Sequence, residues 1–435
     1  MGGFTVASFS DSHLGYNSGT KIHPPSGLNH RVRDGYLALR ETVDQIIEAE
    51  VDLAVHCGDI FHRSWPQVSD IAFAQAQLRR LSVAGIPVIL NTGNHDASND
   101  RAKSPATLSL HDPDRGLHVV TGLVEVHRPV VGLTVTVLSH MGLATRERQV
   151  VTPVDGDLNL FTAHGAAAVP GHEIFHCIDS PGEQPIGLDL LGDPGWAATL
   201  LGHYHGMGPL PDLPNAWYAG SALRRGESDP AGGRGWIKVT VGNGTVDFEP
   251  RYINQRAQYD LPAFDATGLT GADVEERVRY NLAQVEVPGA IIRQVVTNCA
   301  LAVKRGVDVA ALNRLTAPAL IWKADFRRPD APEVVYPGDP SAPLDETAAD
   351  PHRTGRVVHG AADLPGLWRA WAPGWGETLP VRTREIVLAA GERHLAAATT
   401  GVDTEQDAPV RPASVRPGPA DAPADSPADS LAGTP

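Results

Sequence analysis

The chain has 435 residues, of which 42% are hydrophobic, and a formal net charge of −15 at pH 7. This length exceeds one ordinary domain and allows a large buried core. The acidic balance argues against a protein that holds nucleic acid on a broad basic surface, because neutralisation of phosphates supplies much of that affinity. Contact with a phosphate backbone would have to come from local arginines and bound cations.

The first third of the sequence alternates short apolar runs with helical patterns. Strands are predicted at 4–9, 52–56 and 88–90, and helices at 31–50 and 69–84, where apolar residues recur at helical spacing. Strands are then predicted at 119–126, 133–138, 157–163 and 198–201, with a hairpin at 235–248 that turns at Gly242-Asn243-Gly244. The βαβαβ order indicates stacked α/β layers with crossover helices, and we expect this domain to span residues 1–252.

The character of the sequence changes after residue 252. Helices at 271–284 and 308–315 and strands at 290–297 and 320–327 predict a small α+β domain over residues 253–330. Residues 331–402 are rich in proline and alanine, with one predicted helix near 383–399. Residues 403–435 have the composition of a disordered tail.

The cysteine content and the lengths of the apolar runs indicate in which cellular compartment the protein is expected. Cys57, Cys177 and Cys299 form no CxxC pair, which argues against a zinc-thiolate site and a disulfide framework. Sparse cysteine is typical of a reducing compartment. We recognise no signal peptide and no apolar run of the roughly 18 residues that a membrane helix needs. A cytoplasmic protein without membrane association is expected.

Five polar segments follow predicted strands. They are Asp11-Ser12-His13, Gly58-Asp59, Gly93-Asn94-His95-Asp96, His164 and Gly202-His203-Tyr204-His205. They supply carboxylate or amide oxygen and imidazole nitrogen but no thiolate, a set that suits Mn²⁺, Fe or Zn²⁺. Residues two apart at a strand end point to the same side, so the D-x-H and H-x-H pairs can each reach one site. A carboxylate such as Asp59 can bridge two cations.

Each segment alone also has an ordinary structural interpretation. Asp11 fits a helix cap, Asp59 and Asn94 fit turns, and the histidines fit surface or core positions. The joint occurrence of all five segments, in order and at strand ends, favours a metal site.

This pattern resembles that of the calcineurin-like metallophosphoesterase superfamily: D-x-H, G-D, G-N-H, a lone His and G-H-x-H. Within it the chain is most similar to the DNA-repair exonuclease group, which contains the bacterial SbcD nuclease subunit and its archaeal and eukaryotic relatives. The closer resemblance is carried by the run from Ser10 to Tyr16, Arg33-Asp34, Ile60-Phe61-His62 with Pro66, and Tyr218-Ala219-Gly220-Ser221. It covers about residues 4–250.

The resemblance implies a four-layer α/β/β/α sandwich, followed by the small α+β domain, and a pair of divalent cations. The first cation would be held by Asp11, His13, Asp59 and His205, and the second by Asp59, Asn94, His164 and His203. Mn²⁺ is the expected metal, with Fe or Zn²⁺ as alternatives. His95 would be the catalytic acid, oriented by Asp96, and the cations would activate water for attack on phosphorus.

Two histidines leave the interpretation open. His140 also ends a predicted strand and rivals His164 as the lone ligand. We prefer His164 because it follows the strand-like run 158–163 and lies upstream of Gly202 at the distance that the resemblance implies. His62 resembles a histidine near the substrate in the nuclease group, and an exposed surface role fits it equally.

Partners are implied by the resemblance alone. DNA is the expected substrate, and relatives pair with a coiled-coil ATPase subunit, docked partly through a C-terminal helix for which 383–399 is a weak candidate. Members of the nuclease group often form homodimers, and the sequence leaves open whether this chain does. Basic residues of the small domain would line DNA or form a solvated face: Arg277, Arg279, Arg293, Lys304, Arg305, Arg314, Lys323, Arg327 and Arg328.

The leading functional hypothesis is a two-metal DNA exonuclease or endonuclease that acts in repair. One alternative is a phosphodiesterase for a small molecule such as a cyclic nucleotide or a nucleotide-lipid. Another is a non-catalytic scaffold of the same fold, against which the intact set of metal-binding groups argues.

Overall fold

The computed structural model describes residues 3–97, 104–145, 147–172, 183–226, 229–329 and 389. The helices in this part are α1 His30–Glu48, α2 Val68–Val83, α3 His140–Leu143, α4 Leu188–Leu191, α5 Gly271–Leu282, α6 Leu301–Arg305 and α7 Val309–Leu315. The first strands are β1 Phe4–Phe9, β2 Leu53–His56, β3 Val88–Leu90, β4 Leu117–Val119, β5 Val124–Val130, β6 Leu133–Leu138, β7 Leu158–His164 and β8 Trp196–Gly202. The later strands are β9 Gly208–Leu210, β10 Leu213–Tyr218, β11 Gly235–Gly242, β12 Thr245–Tyr252, β13 Gln258–Asp265, β14 Ile291–Thr297 and β15 Ile321–Phe326.

Two six-stranded sheets form the centre of the N-terminal part. The first has the order β12-β11-β1-β2-β3-β4 and the second has the order β5-β6-β7-β8-β10-β9. Strands β1 to β4 are parallel, and β6, β7 and β8 are also parallel. The two sheets bury apolar side chains between them, among them Val6, Val55, Val135, Leu200 and Val239.

Helices cover the outer faces of both sheets. Leu39 and Ile46 of α1 and Leu78 of α2 pack on the first sheet. On the second sheet, the short helices α3 and α4 pack against Phe161 and Trp196. The expected α/β/β/α order of layers is confirmed, although the last layer consists of two one-turn helices in the described residues.

A third sheet, β13-β14-β15, is parallel and carries its own core. This core joins Val274, Ile292 and Leu312 from α5, β14 and α7. The small α+β fold is thus present, whereas the domain limits at 252 and 330 remain predictions. The helix predicted near 383–399 and the tail at 403–435 lie outside the described residues, apart from residue 389.

One strand prediction needs correction. The predicted strand 119–126 is two strands, because the chain turns after Val119. The Glu125 carboxylate accepts the backbone N–H groups of Thr121 and Gly122, at 3.3 and 3.0 Å, and so closes the turn. Strands β9, β10 and β13 were not predicted, since each contains a proline that breaks the usual strand pattern.

None of the helices in the described segments has the length and hydropathy that crossing a bilayer requires.

Candidate metal centre

The candidate ligands lie where the carboxyl ends of the two sheets' parallel strands meet. Four of them have left-handed backbone conformations: φ is 50° at Asp11, 42° at His13, 56° at Asp59 and 103° at His203. Residues with a Cβ rarely adopt this region, and each such conformation costs about 1–3 kcal/mol. Hydrogen bonds between neighbouring loops stabilise the strained backbone at Asp11 and His13. The Asp11 N–H donates to the Gly58 carbonyl and the His13 N–H donates to the Asp59 carbonyl, both at 3.0 Å.

A first set consists of three donor atoms that lie within 4.8 Å of one another, from Asp11, His13 and His205, and of Asp59 Oδ2 beside His13. Asp11 Oδ1 lies 3.5 Å from both His13 Nε2 and His205 Nε2. The two imidazole nitrogens are 3.2 Å apart, and Asp59 Oδ2 lies 3.6 Å from His13 Nε2. Asp11, His13 and Asp59 are at most 2% exposed and His205 is 8% exposed.

A second set of four shares one atom with the first. Asp59 Oδ2 also lies 3.4 Å from His164 Nε2. Asn94 Oδ1 lies 3.0 Å from His164 Nε2 and 3.3 Å from His203 Nδ1. The same carboxylate oxygen of Asp59 therefore faces both sets.

These spacings fit cation coordination. Ligand atoms bonded at about 2.0–2.2 Å to one ion lie roughly 2.8 to 3.6 Å from one another. Asp11 Oδ1 is buried with no hydrogen-bond partner, which is costly for a carboxylate oxygen unless a cation compensates it. Oxygen and imidazole donors without thiolate suit hard or borderline divalent metals. The residues thus fit two cations that share Asp59.

Charges in the cluster oppose the effect of burial on the acids. Burial alone would raise the pKa of Asp11 and Asp59, but contacts with the surrounding histidines hold the pKa of both carboxyls below the usual value. Burial would lower the pKa of His164, but the charge of Asp59 raises it to about 10. The lowered pKa values favour the ionised carboxylates that a cation requires, and a histidine binds a cation through a neutral imidazole nitrogen.

The geometry favours His164 over His140 as the lone histidine ligand. The His164 Nδ1–H donates to the Cys57 carbonyl at 2.9 Å, which turns Nε2 toward Asp59 and Asn94. His140 is buried nearby, but its Nδ1 has no partner, and it belongs to none of the groups at ligand spacing in the described residues.

His95 lies beside both sets without belonging to either set of four. Its backbone N–H donates to Asp59 Oδ1 at 2.9 Å, and its Nδ1–H donates to the His62 carbonyl at 2.9 Å. The His62 ring stacks on that of His95 with centroids 5.3 Å apart. His62 is therefore a half-buried wall of the site and not a surface histidine.

The contacts of Asp96 differ from the sequence prediction that it orients the His95 ring. Its carboxylate accepts the backbone N–H groups of Ile60, Phe61 and Gly93, at 3.2, 2.9 and 3.1 Å. Burial and the charge of Asp59 raise the pKa of Asp96 to about 7. Asp96 ties together the two loops that carry Asp59 and Asn94, while the His62 carbonyl orients His95.

Sequence reasoning missed two residues of the site, both in the loop after β10. Asp229 Oδ1 accepts the Nδ1–H of His205 at 2.7 Å and so directs Nε2 toward Asp11. The Arg225 guanidinium lies 3.0 Å from that same His205 Nε2 and 3.4 Å from His13 Nδ1. Since one nitrogen cannot serve both groups, a cation at His205 requires the guanidinium to move. Neither residue lies in a motif that marks it.

Glycines allow the close approach of these loops. A Cβ on Gly58, where φ is 114°, would lie 2.3 Å from His164 Nδ1. A Cβ on Gly93 would lie 2.2 Å from Asp59 Oδ1. Side chains at these positions would displace ligands, which is why glycine precedes Asp59 and Asn94.

Comparison with known proteins agrees with this geometry. Residues 4–207 match the calcineurin-like phosphoesterase family. Residues 4–207 thus form a domain of the metallophosphoesterase superfamily. This domain is accordingly a metal-dependent hydrolase of phosphoesters, and the clusters described above are the plausible places for its divalent metals.

The similar proteins are DNA double-strand break repair proteins. The chain is 28% identical to the DNA double-strand break repair protein Mre11 of Haloferax volcanii, over 71% of this chain and 67% of that protein. The Mre11 protein of Thermoplasma acidophilum is 25% identical, over 55% of this chain and 63% of that protein. A shorter match, to Mre11 of Methanococcus maripaludis, is 35% identical over 22% of this chain and 23% of that protein.

Proposed function

We propose that this metallophosphoesterase is a two-metal phosphodiesterase that cleaves DNA, as an exonuclease or endonuclease in repair. The observation that carries the proposal is the single oxygen, Asp59 Oδ2, that faces two sets of ligands at 3.6 and 3.4 Å. The names of the relatives support DNA as the substrate. We further propose Mn²⁺ as the metal.

The ligands proposed for the first cation are Asp11, His13, Asp59 and His205, and those for the second are Asp59, Asn94, His164 and His203. When bound, two such cations would supply an activated water and would neutralise charge on the phosphoryl oxygens. Asp59 and Asp11 contribute negative charge that offsets the two cations. The Nδ1–H groups of His164 and His205 are taken by Cys57 and Asp229, so each ring presents Nε2 to the site.

His95 is the proposed acid. Its Nδ1–H is held by the His62 carbonyl, so Nε2 is the nitrogen that can exchange a proton with the substrate. Its backbone N–H donates to Asp59 Oδ1, which fixes the position of His95 relative to the proposed metal ligands. Protonated at Nε2, the ring would donate to the leaving oxygen and stabilise negative charge on the phosphoryl group.

Two substrates, assayed in parallel, test this proposal. The purified chain with Mn²⁺ would be incubated with end-labelled linear DNA and, separately, with a chromogenic phosphodiester, with chelated samples as the control. Metal-dependent shortening or nicking of the DNA is expected. Hydrolysis of the small ester alone would contradict the DNA assignment, and hydrolysis of neither would favour a scaffold. The pattern of labelled fragments distinguishes exonuclease from endonuclease action.

An ATPase partner and a homodimer also remain proposals. Co-purification of this chain with the coiled-coil ATPase encoded in the same cell would support the first. Light scattering of the purified protein would decide the second.

A further inference from the structure

Three histidines beside the metal centre form a further group at ligand spacing. One nitrogen each from His13, His62 and His95 lies within 4.8 Å of the other two. His13 is a proposed ligand of the first cation, whereas His62 and His95 are half-buried and belong to neither set of four. The group consists of imidazoles alone, so its chemistry differs from that of the two sets that share Asp59.

The spacing of the three rings fits one common cation. The ring centroids are 5.5 Å apart for His13 and His62, 4.8 Å apart for His13 and His95, and 5.3 Å apart for His62 and His95. When two imidazoles bind one tetrahedral cation at about 2.0–2.1 Å, their centroids lie roughly 5 Å apart. All three pairs therefore have the separation of rings around a single ion.

Hydrogen bonds leave nitrogen atoms of this group available to a cation. The His95 Nδ1–H donates to the His62 carbonyl at 2.9 Å, which leaves the lone pair of the neutral ring on Nε2. Metal-bound histidines commonly donate their other N–H to a backbone carbonyl in this way, because the bond fixes the tautomer and the ring orientation. His62 Nδ1 is buried and has no hydrogen-bond partner within the described residues.

The donor set favours a different metal from the one proposed for the two sets of four. Carboxylate and amide oxygens suit Mn²⁺, whereas imidazole nitrogens suit Zn²⁺, which also binds such ligands more tightly than Mn²⁺ does. Three histidines, with a fourth position open to water, are an established arrangement for bound zinc. Zn²⁺ is therefore the cation that we expect at this group.

We propose that His13, His62 and His95 form an alternative site for Zn²⁺, and that zinc bound there inhibits the enzyme. A neutral imidazole has one lone pair, so His13 cannot hold this ion and the first cation at the same time. The same ion would engage His95 Nε2, the nitrogen through which the proposed acid exchanges its proton. Inhibition rests on the proposed function, whereas zinc binding by the three histidines does not depend on it.

Anomalous diffraction locates the zinc ion independently of turnover. Crystals grown with Mn²⁺ and soaked in Zn²⁺ would be measured above and below the zinc absorption edge. A zinc peak should lie about 2.0–2.1 Å from one nitrogen of each of the three rings, and the manganese peak beside His205 should weaken. In His62→Asn crystals this zinc peak should be absent while the manganese peaks at Asp59 remain. Zinc found only in the two sets that share Asp59 would overturn the site.

Zinc sensitivity tests the consequence in solution. Turnover of DNA or of the chromogenic phosphodiester with saturating Mn²⁺ would be measured against Zn²⁺ concentration, each variant relative to its own zinc-free rate. His62→Asn should raise the Zn²⁺ concentration for half-inhibition by at least about 10-fold, because the site loses one of its three ligands. The control is His118→Asn, which removes a half-buried histidine of β4 that belongs to none of the ligand groups in the described residues.

The outcomes separate this inference from the proposed function. His118→Asn should keep the zinc sensitivity of the parent. Equal zinc sensitivity of His62→Asn and the parent would refute inhibition through this site. If the unaltered chain with Mn²⁺ hydrolyses neither substrate, the proposed function fails, and the position of the zinc peak decides whether the three histidines bind the ion.

Discussion

At the scale of single residues, Asp59 has two separate tasks. Its Oδ1 accepts the backbone N–H of His95, and its Oδ2 faces His13 and His164. The carboxylate thereby links the proposed acid to both metal sets. The left-handed backbone conformation of Asp59 is unfavourable in free energy, and contacts with the surrounding loops stabilise it.

The proposed acid can be separated from the ligands by substitution. His95→Ala should retain two bound Mn²⁺ ions per chain and lose roughly 10²–10⁴-fold in turnover, the usual contribution of a positioned acid or base. Metal content by mass spectrometry and initial rates on DNA measure both. His127→Ala, on the edge strand β5, is the control and should retain activity. Near-normal rates in His95→Ala would refute the assignment.

Asp229 gives a second prediction at this scale. Asp229→Asn removes the anionic acceptor of the His205 Nδ1–H, so affinity for one of the two cations should fall by about 10–100-fold. Calorimetric titration with Mn²⁺ measures this. Asp189→Asn, an exposed carboxylate paired with Arg148, is the matched control. If the Mn²⁺ affinity is unchanged in both variants, Asp229 has no influence on metal binding by His205.

Most of the candidate ligands could be proposed from the sequence because they follow strands in short motifs with glycine or a second polar group, whereas His164 stands alone at the end of a strand. Asp229 and Arg225 were not, because they lie in an irregular loop and act through contacts with His205, which is 24 and 20 residues away. The role of Asp96 was misjudged for a related reason. Sequence adjacency suggested a contact with His95, but the carboxylate satisfies backbone N–H groups of a loop 35 residues distant.

At the scale of elements, the parallel strand ends determine the site. Strands β1, β2, β7 and β8 end beside one another, and candidate ligands lie in the turns after β1, β2 and β8 and at His164, the last residue of β7. Alternation and helical spacing located most of these elements within a few residues. The strands that interrupt the pattern with proline, β9, β10 and β13, were missed, because their pairing depends on neighbours distant in sequence.

The turn after β2 is testable by comparing two glycines. Gly58→Ala places a Cβ 2.3 Å from His164 Nδ1, and Gly27→Ala meets nothing within 4 Å, although φ is positive at both positions. Gly27→Ala should cost only the left-handed backbone penalty, about 1–2 kcal/mol. Gly58→Ala should cost more in thermal unfolding and should also weaken Mn²⁺ binding. Equal behaviour of the two variants would show that the close approach at Gly58 is unimportant.

At the scale of the whole described molecule, a buried ionic network joins the segment that contains the third sheet, residues 253–329, to the part of the chain that contains the two central sheets. The Asp34 carboxylate of α1 accepts two bonds from the Arg256 guanidinium, at 2.7 and 2.6 Å, and one from Arg31 at 3.0 Å. Arg256 precedes β13, and Arg31 also donates to the Arg224 carbonyl, next to Arg225. The network therefore connects the third sheet to the loop that borders the metal centre.

Removal of Asp34 should be costly. Asp34→Asn leaves Arg31, which is 1% exposed, without its ionic partner, and loss of one member of a buried pair costs about 3–5 kcal/mol. Urea unfolding measures the change. Asp44→Asn, which removes an exposed carboxylate paired with Arg80, should change stability by less than about 1 kcal/mol. Similar losses for both would contradict a structural role for the network.

The basic residues of the third sheet's segment illustrate what sequence alone leaves undecided at this scale. Arg279, Arg293, Arg314 and Arg327 lie within 4 Å of carboxylates of the same segment. These carboxylates partly neutralise the arginine charges. The pairing favours the interpretation that the basic residues form a solvated face over the interpretation that they line DNA. Composition revealed the charges, but only the folded arrangement revealed the pairs.

The central claim is that two cations share Asp59, and crystals grown with Mn²⁺ test it most directly. Anomalous scattering should give two peaks about 3.5–4 Å apart, one on each side of Asp59 Oδ2, with His13 and His205 at one and His164 and His203 at the other. A single peak, or two peaks that do not share Asp59, would contradict the account.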